Sequence, residues 1–184
     1  MEFSVAQEQH LDLLARCRAG DAASFRKLYE QYAKAMYNTS LRIINNAAEA
    51  EDILQDSFID AFRNIHSFEN RSSFGSWIKQ IVINKSINQL KKKKIDFVEI
   101  DDPEKYAPHQ DEAIDEENLQ WQVDKVIEAM HQLPGGYRTV LSLYLLEGYD
   151  HEEIAGIMGV AESTTRTQYI RGKQKLLKIL KGGV

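Results

Sequence analysis

Residues 149–180 read YDHEEIAGIMGVAESTTRTQYIRGKQKLLKIL, and this stretch decides the fold class. Asp150 stands three residues before Glu153, an acidic variant of the capping box that starts a short helix. Ile154, Ala155 and Met158 supply the buried face of that helix, and Gly159 is placed to end it with a left-handed residue. Val160 plugs the corner. Ser163 or Thr164 then caps a longer helix that opens polar and closes basic and apolar. A short helix, a tight glycine turn and a polar-then-basic helix are the parts of a helix-turn-helix. The competing reading is an ordinary helical hairpin with a basic face, which requires neither the cap, nor the turn glycine, nor this order of charge.

The physical demands of DNA reading sort the residues of the second helix. Its first turns must offer side chains to base edges in the major groove, while basic side chains clamp phosphates. Ser163, Thr164, Arg166, Thr167, Ile170 and Arg171 lie on the face suited to base edges. Lys173, Lys175 and Lys178 suit phosphates, whose contacts position without specifying. Tyr169, Leu176, Leu177 and Leu180 read as core.

Toward the N-terminus nearly every periodic stretch also reads as helix. From Asp21, a candidate N-cap, the residues Phe25, Leu28, Tyr29, Tyr32, Met36 and Thr39 recur at helical spacing. A second helix from about Ala48 carries Ile53, Leu54, Phe58, Ala61, Phe62 and Ile65 on its apolar side. Residues 66–73, HSFENRSS, carry no period, and a third helix runs from near Phe74 to the lysine run Lys91–Lys94. Residues 95–118 hold Pro103 and Pro108 and more acids than hydrophobes, so they cannot bury enough surface to offset ordering. The alternation Phe97–Ile100 is too brief for a strand. A second helical unit follows, with Leu119, Val123, Val126, Ile127 and Met130 in one stripe, then the breakers Pro134, Gly135 and Gly136. Its next helix runs from Tyr137 through Val140, Leu141, Tyr144 and Leu145. The expected architecture is all-α: a small helical domain over 10–94, a flexible acidic linker over 95–118, and a helix-turn-helix domain over 119–182.

Charge is distributed unevenly. The 184-residue chain has a net charge of −5 and 43% hydrophobic residues, a globular balance that excludes a wholly disordered protein. Residues 71–94 carry +7, residues 95–120 carry −9, and residues 160–184 carry +5. Two basic stretches flanking an acidic one predict two polyanion-facing surfaces. In the first, Phe68, Arg71, Phe74, Trp77, Lys79 and Lys85 interleave rings with cations, a composition suited to single-stranded nucleic acid. Core packing is the competing role for Phe74, Trp77, Ile78 and Ile81. Asn84 and Asn88 sit one turn apart, and mid-helix asparagine has poor propensity and wants a partner.

These residues resemble the extracytoplasmic-function (ECF) sigma factors, the promoter-recognition subunits of bacterial RNA polymerase. The resemblance runs from about Asp21 to Leu180, apart from the linker. The run Ala50–Phe58 looks like the family's polymerase-binding helix. Ser67-Phe68, Ser73-Phe74, Trp77-Ile78 and Ile81–Asn84 look like its promoter-melting segment. Leu133-Pro134, Tyr137-Arg138, Glu153–Ala155 and Gly159-Val160 look like its DNA-binding C-terminal domain. The resemblance implies that Glu51, Asp52, Gln55 and Asp56 dock on core polymerase. It implies that Phe68, Arg71, Ser73, Trp77, Lys79, Asn84 and Asn88 serve minus-ten DNA, the Ser67–Ser73 loop trapping a flipped base. Lys91, Lys92, Lys93 and Lys94 would hold the adjoining duplex. The helix with Ser163, Thr164, Arg166, Thr167, Ile170, Arg171, Lys173 and Lys175 would read the minus-thirty-five element. Thr165 replaces a commonly aliphatic residue, and Gln168 and Ile170 stand where basic or other polar residues are frequent. The partners implied are core RNA polymerase, promoter DNA as duplex and as melted non-template strand, and an anti-sigma factor.

Other chemistry is absent from the pattern. His10, His66, His109, His131 and His151 lack metal-ligand spacing, no glycine-rich phosphate loop occurs, and no catalytic constellation is visible. No enzyme activity, metal or cofactor is expected. The lone Cys17 cannot form an internal disulfide, and no apolar run approaches a membrane span, so a cytoplasmic chain without membrane insertion, monomeric when free, is expected. Two alternatives stay open: a dimeric helix-turn-helix regulator with a helical sensor domain, and a helical adaptor that uses the Glu51–Phe62 face.

Overall fold

The computed structural model of the chain describes residues 2–69, 71–93 and 119–182, and among them it holds eight α-helices and no strand. They are α1 (Glu2–Arg18), α2 (Ala22–Ile44), α3 (Ala47–Arg63), α4 (Phe74–Lys92), α5 (Leu119–His131), α6 (Gly135–Leu141), α7 (His151–Met158) and α8 (Glu162–Leu180). The chain divides into two compact units, Met1–Leu90 and Lys91–Val184. Residues 95–118, including the Phe97–Ile100 alternation, lie outside the described residues, as does Lys94.

In the first unit, local chemistry sets the helix ends. Asp21 caps α2: its carboxylate accepts from the Ser24 hydroxyl at 2.6 Å and from the Ala23 N–H at 3.2 Å. Those two bonds, the hydroxyl first, hold the Asp21 carboxyl below the usual aspartate value. Asn45 ends α2 in the left-handed region, and Asn46 starts α3 by accepting from the Glu49 N–H at 3.1 Å. The two-residue link therefore folds α2 and α3 into a helical hairpin. Leu28, Met36 and Ile43 of α2, Ala50, Phe58 and Ala61 of α3, and Phe74, Ile78, Val82, Ile83 and Ile87 of α4 are buried. The hydroxyls of Ser40 and Ser86 lie 3.2 Å apart inside this core, and Ser86 also donates to the Val82 carbonyl at 2.8 Å.

The first helix was not expected, because the sequence reading begins its helices at Asp21. Only Leu14 and Cys17 of its described side chains are deeply buried, while Leu11 is 48% exposed. So narrow an apolar stripe gives little period to read.

The second unit gathers Ala129, Met130, Leu133, Tyr137, Leu141 and Leu176 into its core. Helices α6 and α8 approach closely at Gly172, where a Cβ would meet the Tyr137 Cβ at 3.1 Å and Leu141 Cδ1 at 3.2 Å. Arg138 is buried, donating from Nη1 to the Leu133 carbonyl at 2.7 Å and so bracing the α5–α6 corner. Desolvation pushes this guanidinium below its ordinary value.

Leu177 and Leu180, read as core, are corrected here, and other apolar residues of this unit are exposed as well. The helix begun at α6 changes to a π-helical turn over Ser142–Leu146, whose wider register swings Tyr144 and Leu145 outward. Val123 is half exposed on α5. Leu177 and Leu180 are also exposed, because the buried line of α8 passes through Thr165, Gln168, Gly172 and Leu176.

Candidate polymerase and nucleic-acid interfaces

Three surfaces carry the expected functional residues. On α3, Glu51, Asp52, Gln55 and Asp56 are all exposed, opposite the buried Ile53, Leu54, Phe58 and Ala61. Ile59 joins this acidic face with 46% exposure. The sequence reading missed it, since its spacing from the acids is plain only once the buried side is known. An acidic and amide rim around one exposed isoleucine has the chemistry of a protein-docking patch.

The second surface is built from the loop before α4 and the outer side of α4. Phe68 is corrected: it is 4% exposed, with its ring 5.1 Å from Trp77 and edge-on to Phe74 at 5.9 Å. An aromatic ring so packed supports the loop and offers no face to a base. Trp77 is half-buried against the same pair of rings. Arg71 is exposed and pairs with Glu69 at 2.7 Å. Ser73 is exposed, but its hydroxyl accepts from the Ser76 N–H at 3.1 Å, an N-cap that starts α4. Lys79 is half-buried. Asn84 and Asn88 are exposed one turn apart, and Lys91 and Lys92 continue that line to the end of the helix, with Lys93 exposed beyond it. Lys85 is turned elsewhere, bonded to Asp60 of α3 at 2.6 Å.

The third surface is the helix-turn-helix. Asp150 accepts from the Glu153 N–H at 2.8 Å while the Glu153 carboxylate accepts from the Asp150 N–H at 2.9 Å, a complete capping box. Gly159 ends α7 at φ 69°, and its N–H and that of Val160 both donate to the Ala155 carbonyl. The start of α8 is corrected by two to three residues: Ala161 is its N-cap, and Ser163 and Thr164 lie within the first turn. Ala161 can hold that place because its carbonyl accepts from the Thr164 N–H at 3.0 Å and the Thr165 N–H at 3.3 Å.

The buried Thr165 hydroxyl contacts the Glu162 carbonyl at 2.8 Å and the His151 carbonyl at 3.2 Å, so it ties α8 to α7. With Thr165 and the buried Gln168 turned inward, Ser163, Arg166, Thr167 and Ile170 face outward, Ile170 at 53% exposure. Thr164 and Arg171 are half-buried beside them, and Lys173 and Lys175 are exposed further along. Lys175 also lies 5.9 Å over the Tyr137 ring. Glu162, which the sequence reading did not single out, holds Arg166 through Nε at 3.1 Å and Nη2 at 2.5 Å. The turn thus leaves a polar half-helix exposed, with the Thr165 hydroxyl tying the packing below it.

Comparison with known proteins follows the same division. Residues 28–95 match the family model of sigma-70 region 2, and residues 124–176 match that of sigma-70 region 4. The RNA polymerase sigma-H factor of Pseudomonas aeruginosa is 29% identical over 188 residues, covering 96% of both chains. The ECF RNA polymerase sigma factor SigW of Bacillus subtilis is 28% identical over 177 residues, covering 91% of this chain and 95% of the relative. Among solved structures, CnrH in complex with the cytosolic domain of CnrY has a TM-score of 0.54 at 18% identity, covering 94% of this chain and 97% of that one. The sigma factor RpoE in complex with the anti-sigma factor NepR from Bartonella quintana also has a TM-score of 0.54, at 24% identity, covering 85% of this chain and 96% of that one. The first model spans the hairpin and α4, the second spans the unit that ends in α8, and the relatives span both: the chain belongs to the ECF sigma factors of bacterial RNA polymerase.

Proposed function

We propose that this chain recruits core RNA polymerase to specific promoters and opens their minus-ten region. The exposed first half of α8 carries the reading: a capping box, a left-handed glycine and a buried threonine leave Ser163, Arg166, Thr167 and Ile170 facing outward. These residues read the minus-thirty-five element in the major groove, helped by Thr164 and Arg171, while Lys173 and Lys175 hold phosphates. On α4, Asn84 and Asn88 contact the melted non-template strand, and Lys91, Lys92 and Lys93 hold the neighbouring duplex. Arg71, Ser73, Trp77 and Lys79 shape the approach to that strand. Glu51, Asp52, Gln55 and Asp56 dock on polymerase, with Ile59 as their apolar contact.

Region 2 function belongs to residues 10–94 and region 4 function to residues 119–182. Two weak DNA contacts on one chain reinforce each other through effective concentration. The protein works in the cytoplasm as a binding subunit without chemistry of its own, and an anti-sigma factor restrains it.

Run-off transcription with bacterial core polymerase on a randomised promoter pool tests this. Selective initiation, dependent on the added protein and sharing two sequence elements, is the expected result. Tight duplex binding without initiation would move the assignment to a helix-turn-helix regulator.

A further inference from the structure

We propose that Arg18, near the end of α1, is a positioning residue for capture of the minus-ten base. The role rests on the promoter-opening reading above, with the Ser67–Ser73 loop as the base trap that the family resemblance implies, and adds to it a residue outside the melting segment itself. The Arg18 Nη2 donates to the Phe68 carbonyl at 2.7 Å, a bond between residues 50 apart in sequence. Phe68 closes the 3-10 turn Ile65–Ser67, from which the chain passes into the loop before α4. Its ring is seated on Trp77 and Phe74, so α4 holds the side chain while α1 holds the backbone.

Beyond Phe68 the described loop residues bond to near neighbours, Arg71 to Glu69 and Ser73 to the Ser76 N–H at the start of α4. Glu69, Arg71, Ser72 and Ser73 are all exposed, and Phe68 is therefore the last buried point before the loop. The direction in which the loop leaves this point depends on the plane of the Phe68 peptide, which the guanidinium fixes. Arg18 is itself well placed. Leu14 and Cys17 bury α1 against the unit, and the chain turns just after it through Gly20 at φ 83°, whose N–H donates to the Cys17 carbonyl at 2.9 Å.

Unstacking a base costs free energy that only a well-shaped pocket recovers, and small displacements of positioning groups erode such recovery. A bond from a cation to a carbonyl is stronger than a neutral one, and the rigid fork of arginine loses little entropy in making it. Arg18 thus couples a helix with no DNA-facing role to the shape of the base-capturing loop.

The test uses the full chain, core polymerase and a promoter selected from the randomised pool by the wild-type protein. Permanganate reactivity of minus-ten thymines measures opening. Initiation ratios between the selected base and its replacements measure minus-ten preference, and competition for core polymerase measures docking. Arg18→Ala is expected to lower opening and minus-ten preference by about tenfold, with competition for polymerase unchanged. Unchanged base preference in this variant overturns the proposal. Should Arg18→Ala fail to compete for polymerase, Arg18→Met decides, since it keeps an unbranched stem but has no donor for the Phe68 carbonyl. If it competes normally and shows weakened preference, the role stands; normal preference overturns it. Failure of both variants to compete also overturns it, because the residue then serves the whole fold. If wild-type protein directs no initiation, the promoter-opening reading fails, a result distinct from all of these.

Discussion

The hydroxyl of Thr165 reaches across the turn to the carbonyl of His151 at 3.2 Å, joining the first residue of α7 to the second turn of α8. Its single proton is shared with the Glu162 carbonyl at 2.8 Å, and Thr165 is wholly buried. Thr165→Val keeps the shape while removing the donor, so the His151 carbonyl loses that partner. The expected cost is about 1 kcal/mol of stability, read by thermal unfolding. Binding to a minus-thirty-five duplex should also weaken, because the angle between the helices is then less constrained. Wild-type affinity in a destabilised Thr165→Val protein would mean that backbone packing alone sets that angle.

Gly159 occupies the left-handed region at φ 69°, where an L side chain crowds the following carbonyl. Gly159→Ala should cost about 1–2 kcal/mol. Chemical denaturation of the full chain measures this, and a neutral effect would show that the turn relaxes to another conformation.

At Gly172 the constraint is space. An added Cβ would stand 3.1 Å from the Tyr137 Cβ, part of a buried side chain with no flexible end to give way. Gly172→Ala should destabilise by about 1–3 kcal/mol, the usual range for overpacking. Tyr137 fluorescence or near-ultraviolet dichroism should change with it, reporting a shift of α6 against α8.

The α4 surface separates two modes of DNA binding. Asn84→Ala should reduce minus-ten opening by about fivefold, the worth of one hydrogen bond, without altering its salt dependence. Lys91→Gln with Lys92→Gln should instead flatten the salt dependence of promoter binding, by about 0.9 in slope for each phosphate no longer neutralised. Identical salt slopes in the lysine variant and the wild type would remove those residues from the duplex interface.

Burial, with a smaller contribution from the charge of Asp21, pushes the Cys17 thiol up to about 11. The thiolate is the reactive form, so iodoacetamide at pH 8 should label folded protein about a hundredfold more slowly than unfolded protein. The sign for stability follows from the raised value. The neutral thiol favours the fold fully below pH 9.0, and that contribution is lost as pH rises toward about 11. Cys17→Ser should remove this alkaline component from a stability–pH profile.

The parts of this protein that were legible in its sequence are those governed by neighbours a few residues apart. The Asp150–Glu153 box, the Asp21 cap and the left-handed Gly159 are each satisfied within one turn of backbone, so their residue types announce them. The acidic face of α3 could also be read, since an amphipathic period assigns one side to the core and leaves the other exposed. The cap of α8 was misplaced because Ser163 and Thr164 are good capping residues, whereas the backbone bonds to Ala161 start the helix without a side-chain cap.

What the sequence by itself determined is an all-helical chain ending in a helix-turn-helix, together with the segregation of charge that marks its interfaces. Only tertiary structure decided that Phe68 is buried beneath the loop, that Arg18 holds its carbonyl, and that Tyr144 and Leu145 turn outward from a π-helical turn. An aromatic residue in a polar loop has the same composition whether it meets a base or the rings of Phe74 and Trp77. Burial depends on which distant helix packs beside it, and a bond spanning 50 residues leaves no local period to read.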